Sequence, residues 1–160
     1  RDLISHSGCD QATKQRFMKV SELKRIVDAE ADANGRATTV TGFVFHESRV
    51  GSTLAANMFA SWDKVATYSE HPIPTTIQAA PAPEVQRAHD LRVIAAAMGR
   101  PTGARYLVYK MQSATVMNMD FFLTAFPNTP WIFLYRDTPE IVASNLEKTL
   151  ENGNVPRTVK

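Results

Sequence analysis

TTVTGFVFHESRVGSTLAANMFASW, running from Thr38 to Trp62, is the stretch on which the fold turns. Its opening, Thr38–Phe45, is β-branched and aromatic and predicts a strand. Its close, TLAANMFASW, has the composition of a helix, and the HESRVGST between them is short, polar and carries one glycine. In a strand–loop–helix of this kind the backbone amides of Val50, Gly51, Ser52 and Thr53 turn from the loop and the helix N-terminus toward a common point, forming an anion cradle. Gly51 permits the tight backbone, Ser52 and Thr53 add hydroxyls, and Arg49 offers a planar guanidinium to phosphate or sulfate oxygens. His46 opens the loop and reads either as a donor to those oxygens or as a locally hydrogen-bonded histidine. The nucleoside-triphosphatase signature needs two glycines bracketing four residues and then a lysine. The lysine is missing here and Glu47 stands in the loop, which disfavours an ATP or GTP site.

Upstream, Leu23, Ile26 and Val27 fall at helical spacing between Ser21, placed to cap, and Gly35, placed to stop, so a helix is predicted over Ser21–Asn34. Downstream, Val65–Ser69 reads as a strand. Pro72, Pro74, Pro81 and Pro83 then imply a wrapping loop with at most a helical turn at Thr75–Ala80. Glu84–Met98 carries an apolar face of Val85, Ala88, Leu91, Ile94, Ala95 and Met98 and ends at Gly99 and Pro101, which predicts a helix. Arg105–Lys110 and Trp131–Tyr135 read as strands, Thr115–Phe126 and Pro139–Glu151 as helices. Alternating helices and near-continuously apolar strands imply an α/β fold: a three-layer α/β/α arrangement around a mainly parallel sheet, with any ligand at the carboxyl ends of the strands. Trp62, Trp131 and the Met-rich run Met111–Met119 are assigned to the core. Glu147 and Lys148 are assigned to a solvated helix face. An N-terminal helical segment is expected over 1–37, ahead of one α/β domain over 38–160.

Two segments carry a resemblance to a known family. FHESRVGSTL is similar to the 5′-phosphosulfate loop of sulfotransferases that use 3′-phosphoadenosine 5′-phosphosulfate, in which a basic residue, a spacer and Gly-Ser/Thr-Ser/Thr precede a helix; Arg49, Gly51, Ser52 and Thr53 match. WIFLYRDTPEIVASNL resembles that family's strand followed by Arg-Asp-Pro and a serine eight residues after the arginine; Arg136 and Ser144 match, with Thr138 intervening before Pro139. YSEHP, Tyr68–Pro72, is similar to the Ser-Glu-Pro segment of the branch that modifies carbohydrate or small-molecule hydroxyls, with His71 inserted. The resemblance spans Val40 to about Leu150. It implies a P-loop-containing nucleotide hydrolase-like fold and a phosphosulfate donor held by Arg49–Thr53, with its 3′-phosphate on Arg136 and Ser144. It further implies Glu70 as base toward the acceptor, ahead of His71 and His46, and Lys110 as a cation at the active-site rim. The reaction so implied is sulfuryl transfer to a hydroxyl or amine of a small-molecule or carbohydrate acceptor, with no metal.

Composition sets the outer limits. With 160 residues, 44% hydrophobic and 21% charged, the chain matches an average globular domain and lacks the signature of disorder. A formal charge of +2 gives no bulk electrostatic case for nucleic acid or membrane, so any anion site is local. Cys9 is the single cysteine, which rules out a disulfide within these residues. The longest apolar runs fall far short of the ~20 residues of a membrane helix, so a soluble domain is expected. Its compartment would be cytoplasmic, or Golgi-lumenal if an anchor lies elsewhere. A start at Arg1 and an end at Lys160 soon after a helix are what a fragment would show, incomplete toward its C-terminus. Two other classes share these features: a kinase-like phosphoryl-transfer enzyme, which would need magnesium and a phosphate-binding lysine, and a non-catalytic nucleotide-binding module.

Overall fold

The computed structural model describes residues 18–34, 39–99 and 102–151. In chain order the elements are α1 (Val20–Asn34), β1 (Gly42–His46), α2 (Ser52–Ala60), β2 (Val65–Ser69), α3 (Pro72–Gln78), α4 (Glu84–Gly99) and β3 (Tyr106–Lys110). A 3-10 segment (Ser113–Asn118), α5 (Met119–Ala125), β4 (Trp131–Leu134) and α6 (Thr138–Glu151) complete them. The strands form one four-stranded sheet in the order β2-β3-β1-β4 with every pair parallel, so the protein is α/β. From β1 the chain crosses to the far edge, returns through β3 and passes over β1 to β4. The connections therefore diverge around β1, where ligands of open parallel sheets gather.

Side-chain alternation assigns the two faces of the sheet. Phe43 and Phe45 of β1 and Leu107 and Tyr109 of β3 are buried in one cluster with Ala88, Leu91 and Ala95 of α4 and Phe121, Phe122 and Ala125 of α5. Val44 and Val108, one residue out of phase, are buried on the opposite face. Gly42 belongs to that face too, since a Cβ there would lie 3.7 Å from Val108 Cγ2. It carries α2, whose Phe59, together with the adjacent Trp62, lines a shallow groove with Val65, Tyr106 and Val108. Helices thus lie on both faces, but unevenly. α1, α3 and α5 all pack on α4, which explains why Val93 is buried although it lies off the predicted stripe, while Val85, on the stripe, is exposed.

Several boundaries differ from the sequence reading for identifiable reasons. β1 begins at Gly42, four residues after Thr38. Just before it, the Thr41 hydroxyl accepts from Leu107 N–H at 2.8 Å and donates to Leu107 O at 3.1 Å, so a side chain replaces part of the ladder. Ser21 lies inside α1 rather than capping it, the first bonds running from Glu22 and Leu23 N–H to the Lys19 carbonyl. Gly35 lies outside the described residues. Pro72 and Pro74, expected to break the chain, instead lie in the first turn of α3, which requires no amide donors, while Pro81 and Pro83 fall in the turn before α4 as expected. The predicted Thr115–Phe126 helix is divided into a 3-10 segment and α5 at Asn118, whose φ of −130° is not helical. Trp62 and Trp131 are not core residues: they are 64% and 47% exposed, because the α2 face is thinly covered and β4 is an edge strand. Of the methionine run, Met111 is buried and Met117 is exposed.

Candidate functional site

The carboxyl ends of all four strands open into one cleft of about 580 Å³. Its lining includes Arg49, Gly51, Ser52 and Thr53 from the β1–α2 loop, Glu70 after β2, Ser113 after β3, and Arg136, Ser144 and Lys148 from the β4–α6 segment. Residues separated by about a hundred positions in the sequence therefore share one polar pocket.

The loop is built as its composition implies. Gly51 is the α2 N-cap with φ of 82°, a left-handed conformation that glycine adopts without a Cβ penalty. The first helical bonds to its carbonyl come from Leu54 and Ala55, so the amides of Ser52 and Thr53 precede the intrahelical ladder and remain as donors for a ligand. Arg49 is also left-handed, at φ 62°. A non-glycine residue held there costs roughly 1–3 kcal/mol and persists where the surrounding structure over-determines the backbone. Its Nε donates to Ser144 Oγ at 2.9 Å, joining the loop to α6 across the cleft. Ser144 keeps its own hydroxyl proton to donate.

Asp137 O accepts from the amides of Glu140 and Ile141, which starts α6 directly behind Arg136. Pro139 fits this first turn, so the extra Thr138 leaves Arg136 and Ser144 on the same cleft. Arg136 is exposed and its Nε donates to the Glu140 carboxylate.

Beneath the loop lies a polar cluster. Lys110, whose side chain is 1% exposed, places its ammonium on Glu70 Oε1. Burial of an ammonium is costly without such a carboxylate. Glu70 adopts φ of 52°, its N–H donating to the Lys110 carbonyl at 2.8 Å and its carbonyl accepting from Gln112 Nε2 at 3.3 Å. The His46 Nε2 lies 3.8 Å from the same carboxylate oxygen.

His46 itself is buried, with Nδ1 2.7 Å from the Glu47 carbonyl and Nε2 2.8 Å from the Met111 carbonyl. Carbonyl oxygens only accept, so it is a ring N–H that donates in either contact. The ring ties the end of β1 to the end of β3 at the edge of the cleft it helps to line. His71, the other histidine considered, is the α3 N-cap: Nδ1 accepts from Ile73 N–H at 3.3 Å, and burial lowers its pKa.

The structure thus brings together Arg49, Val50, Gly51, Ser52, Thr53, Arg136, Ser144 and Glu70, with His46 at the border and Lys110 directly beneath. Lys148 lines the cleft although the sequence placed it on a solvated face; its position four residues after Ser144 on one helix was the available signal. Among the described residues no group of three His, Cys, Asp or Glu side chains is arranged to hold a metal, and no helix is long and apolar enough to cross a membrane. Compared with known proteins, the chain matches no family model and no curated protein.

Proposed function

We propose that the cleft binds a nucleotide carrying two separate anionic groups, and that the protein is a sulfotransferase, or the donor-binding part of one, acting on 3′-phosphoadenosine 5′-phosphosulfate. The observation that carries the reading is the meeting of the two motif segments: the Arg49–Thr53 loop and the Arg136–Ser144 segment line one pocket and are bonded to each other through Arg49 and Ser144. Sequence similarity of two short motifs does not require them to converge in space; a ligand that spans both does. The loop amides and Arg49 suit the 5′-phosphosulfate, and Arg136 with Ser144 suits the 3′-phosphate.

In the reaction an acceptor hydroxyl or amine attacks sulfur in line, the bond from sulfur to the 5′-phosphate oxygen breaks, and the 3′,5′-bisphosphate leaves. The acceptor proton passes to Glu70, which faces the cleft with one oxygen held by Lys110. Arg49 compensates the charge that develops between sulfur and the leaving oxygen, a kind of contact whose loss typically costs about 3 kcal/mol of transition-state stabilisation. His46 is left out of proton transfer because both its nitrogens are turned to backbone carbonyls. The acceptor is a small molecule or carbohydrate that enters beside Glu70 and Ser113.

Calorimetric titration with 3′-phosphoadenosine 5′-phosphate, ADP, and ATP with magnesium tests the reading. The expected result is a preference for the 3′-phosphorylated ligand that Arg136→Ala sharply reduces. Equal binding of ADP, or binding of ATP only with magnesium, would overturn it in favour of a kinase-like enzyme.

A further inference from the structure

Among the described residues Arg49, Arg136 and Lys148 bring cations to the cleft, and the two arginines engage side chains there: Arg49 Nε bonds to Ser144 Oγ, and Arg136 Nε bonds to the Glu140 carboxylate. The third, Lys148, stands one helical turn beyond Ser144 on the same face of α6 and lines the same pocket. An anionic group seated on the Ser144 hydroxyl is therefore within the sector covered by the Lys148 side chain, a flexible stem with three donors on its ammonium. Arg136, by contrast, must share its charge with Glu140 or give up that bond before it can serve a ligand fully.

We infer that Lys148 is a specificity-determining residue of this cleft, adding to Arg136 a second charge by which the α6 side selects a phosphorylated over an unphosphorylated ribose. The inference rests on the donor reading above and extends it to a residue that neither motif contains. Ser144 alone does not discriminate, since a hydroxyl hydrogen-bonds to a phosphate or to another hydroxyl. Discrimination requires a charge placed where only the phosphorylated ligand has one. The same argument gives Arg49 no such role: its Nε–H lies between the two halves of the cleft, and its chain position is in the loop that meets the 5′ end of either ligand.

Binding of 3′-phosphoadenosine 5′-phosphate and of adenosine 5′-phosphate is measured calorimetrically on the full chain and on Lys148→Ala and Lys148→Arg. The expected result is a loss of about tenfold in affinity for the bisphosphate in Lys148→Ala, the scale of one charge-assisted hydrogen bond in an open cleft. Adenosine 5′-phosphate should bind the variant about as it binds the parent, and Lys148→Arg should restore most of the preference. If the parent prefers the bisphosphate and Lys148→Ala retains that preference undiminished, or loses both ligands equally, the assignment of Lys148 is overturned while the donor reading stands. If the parent shows no preference, both fall together.

Discussion

The two walls of the cleft are made differently. The first, formed by the β1–α2 loop and the ends of β2 and β3, rests on buried groups: His46, Ser52 and Lys110 are all nearly inaccessible, and the left-handed Glu70 is held by Lys110 and Gln112. The second, formed by β4 and α6, leaves Trp131, Ile132, Val142 and Leu146 about half exposed, and its side-chain link to the loop is the Arg49–Ser144 bond. A wall fixed by buried contacts is shaped before a ligand arrives. In the second wall β4 is paired to β1 along its length, but α6 is sparsely packed, so the ligand completes its position and part of the binding energy goes into ordering it.

The largest test of this difference is in the packing. Phe45, fully buried behind the first wall, should cost about 3–5 kcal/mol on substitution to alanine. Leu146→Ala on α6 should change stability by less than about 1 kcal/mol. Denaturant unfolding of the two variants checks this, and equal losses would erase the distinction.

The charges give the next contrast. Glu70→Ala leaves the buried Lys110 ammonium without its carboxylate, an unsatisfied-group cost of about 1–3 kcal/mol. Adding Lys110→Met should recover part of that loss, since a buried pair is replaceable by apolar packing. Arg136→Ala removes only an exposed pair with Glu140 and should alter stability by less than about 1 kcal/mol while weakening the bisphosphate. Unfolding and titration of the same variants separate the two effects.

A smaller effect is expected at Gly51. A Cβ there meets nothing within 4 Å, so Gly51→Ala is opposed only by the φ of +82°. The expected cost is about 1–2 kcal/mol, read by chemical denaturation; a null effect would mean that the loop relaxes more readily than a preformed wall should.

The smallest effect is a pH dependence next to Glu70. Burial lowers the His71 pKa below its ordinary 6.5, so in acid the unfolded chain binds a proton that the folded chain resists. Stability should fall as pH drops below the ordinary histidine range toward the lowered value, and be indifferent to His71 above it. Protonation at Nδ1 would also remove the cap on Ile73 N–H. His71→Asn, which keeps a capping acceptor, should flatten that part of a thermal-denaturation profile against pH.

The same contrast explains what was legible in the sequence. The loop of the first wall is local: strand, loop and helix lie within Thr38–Trp62, and the tight backbone permitted by Gly51 follows from short-range pattern. The polar cluster beneath it is not local. Nothing in the order of residues shows that His46 is spanned by two carbonyls, one of them from Met111, or that Lys110 is buried rather than solvated. The aromatics Trp62 and Trp131 misled for a related reason: side-chain hydrophobicity reports what can be buried, and whether enough helix covers that face of the sheet is a property of the whole fold. Lys148 was missed because a lysine on a polar helix face has the same signature whether it faces water or a cleft.

The central claim is that the two walls hold two ends of one ligand, and hydrogen–deuterium exchange with saturating 3′-phosphoadenosine 5′-phosphate tests it most directly. The account predicts slowed exchange both at the loop amides of residues 50–53 and along α6, with ADP protecting the loop alone. Protection confined to the loop with the bisphosphate, or identical patterns with both nucleotides, would contradict it.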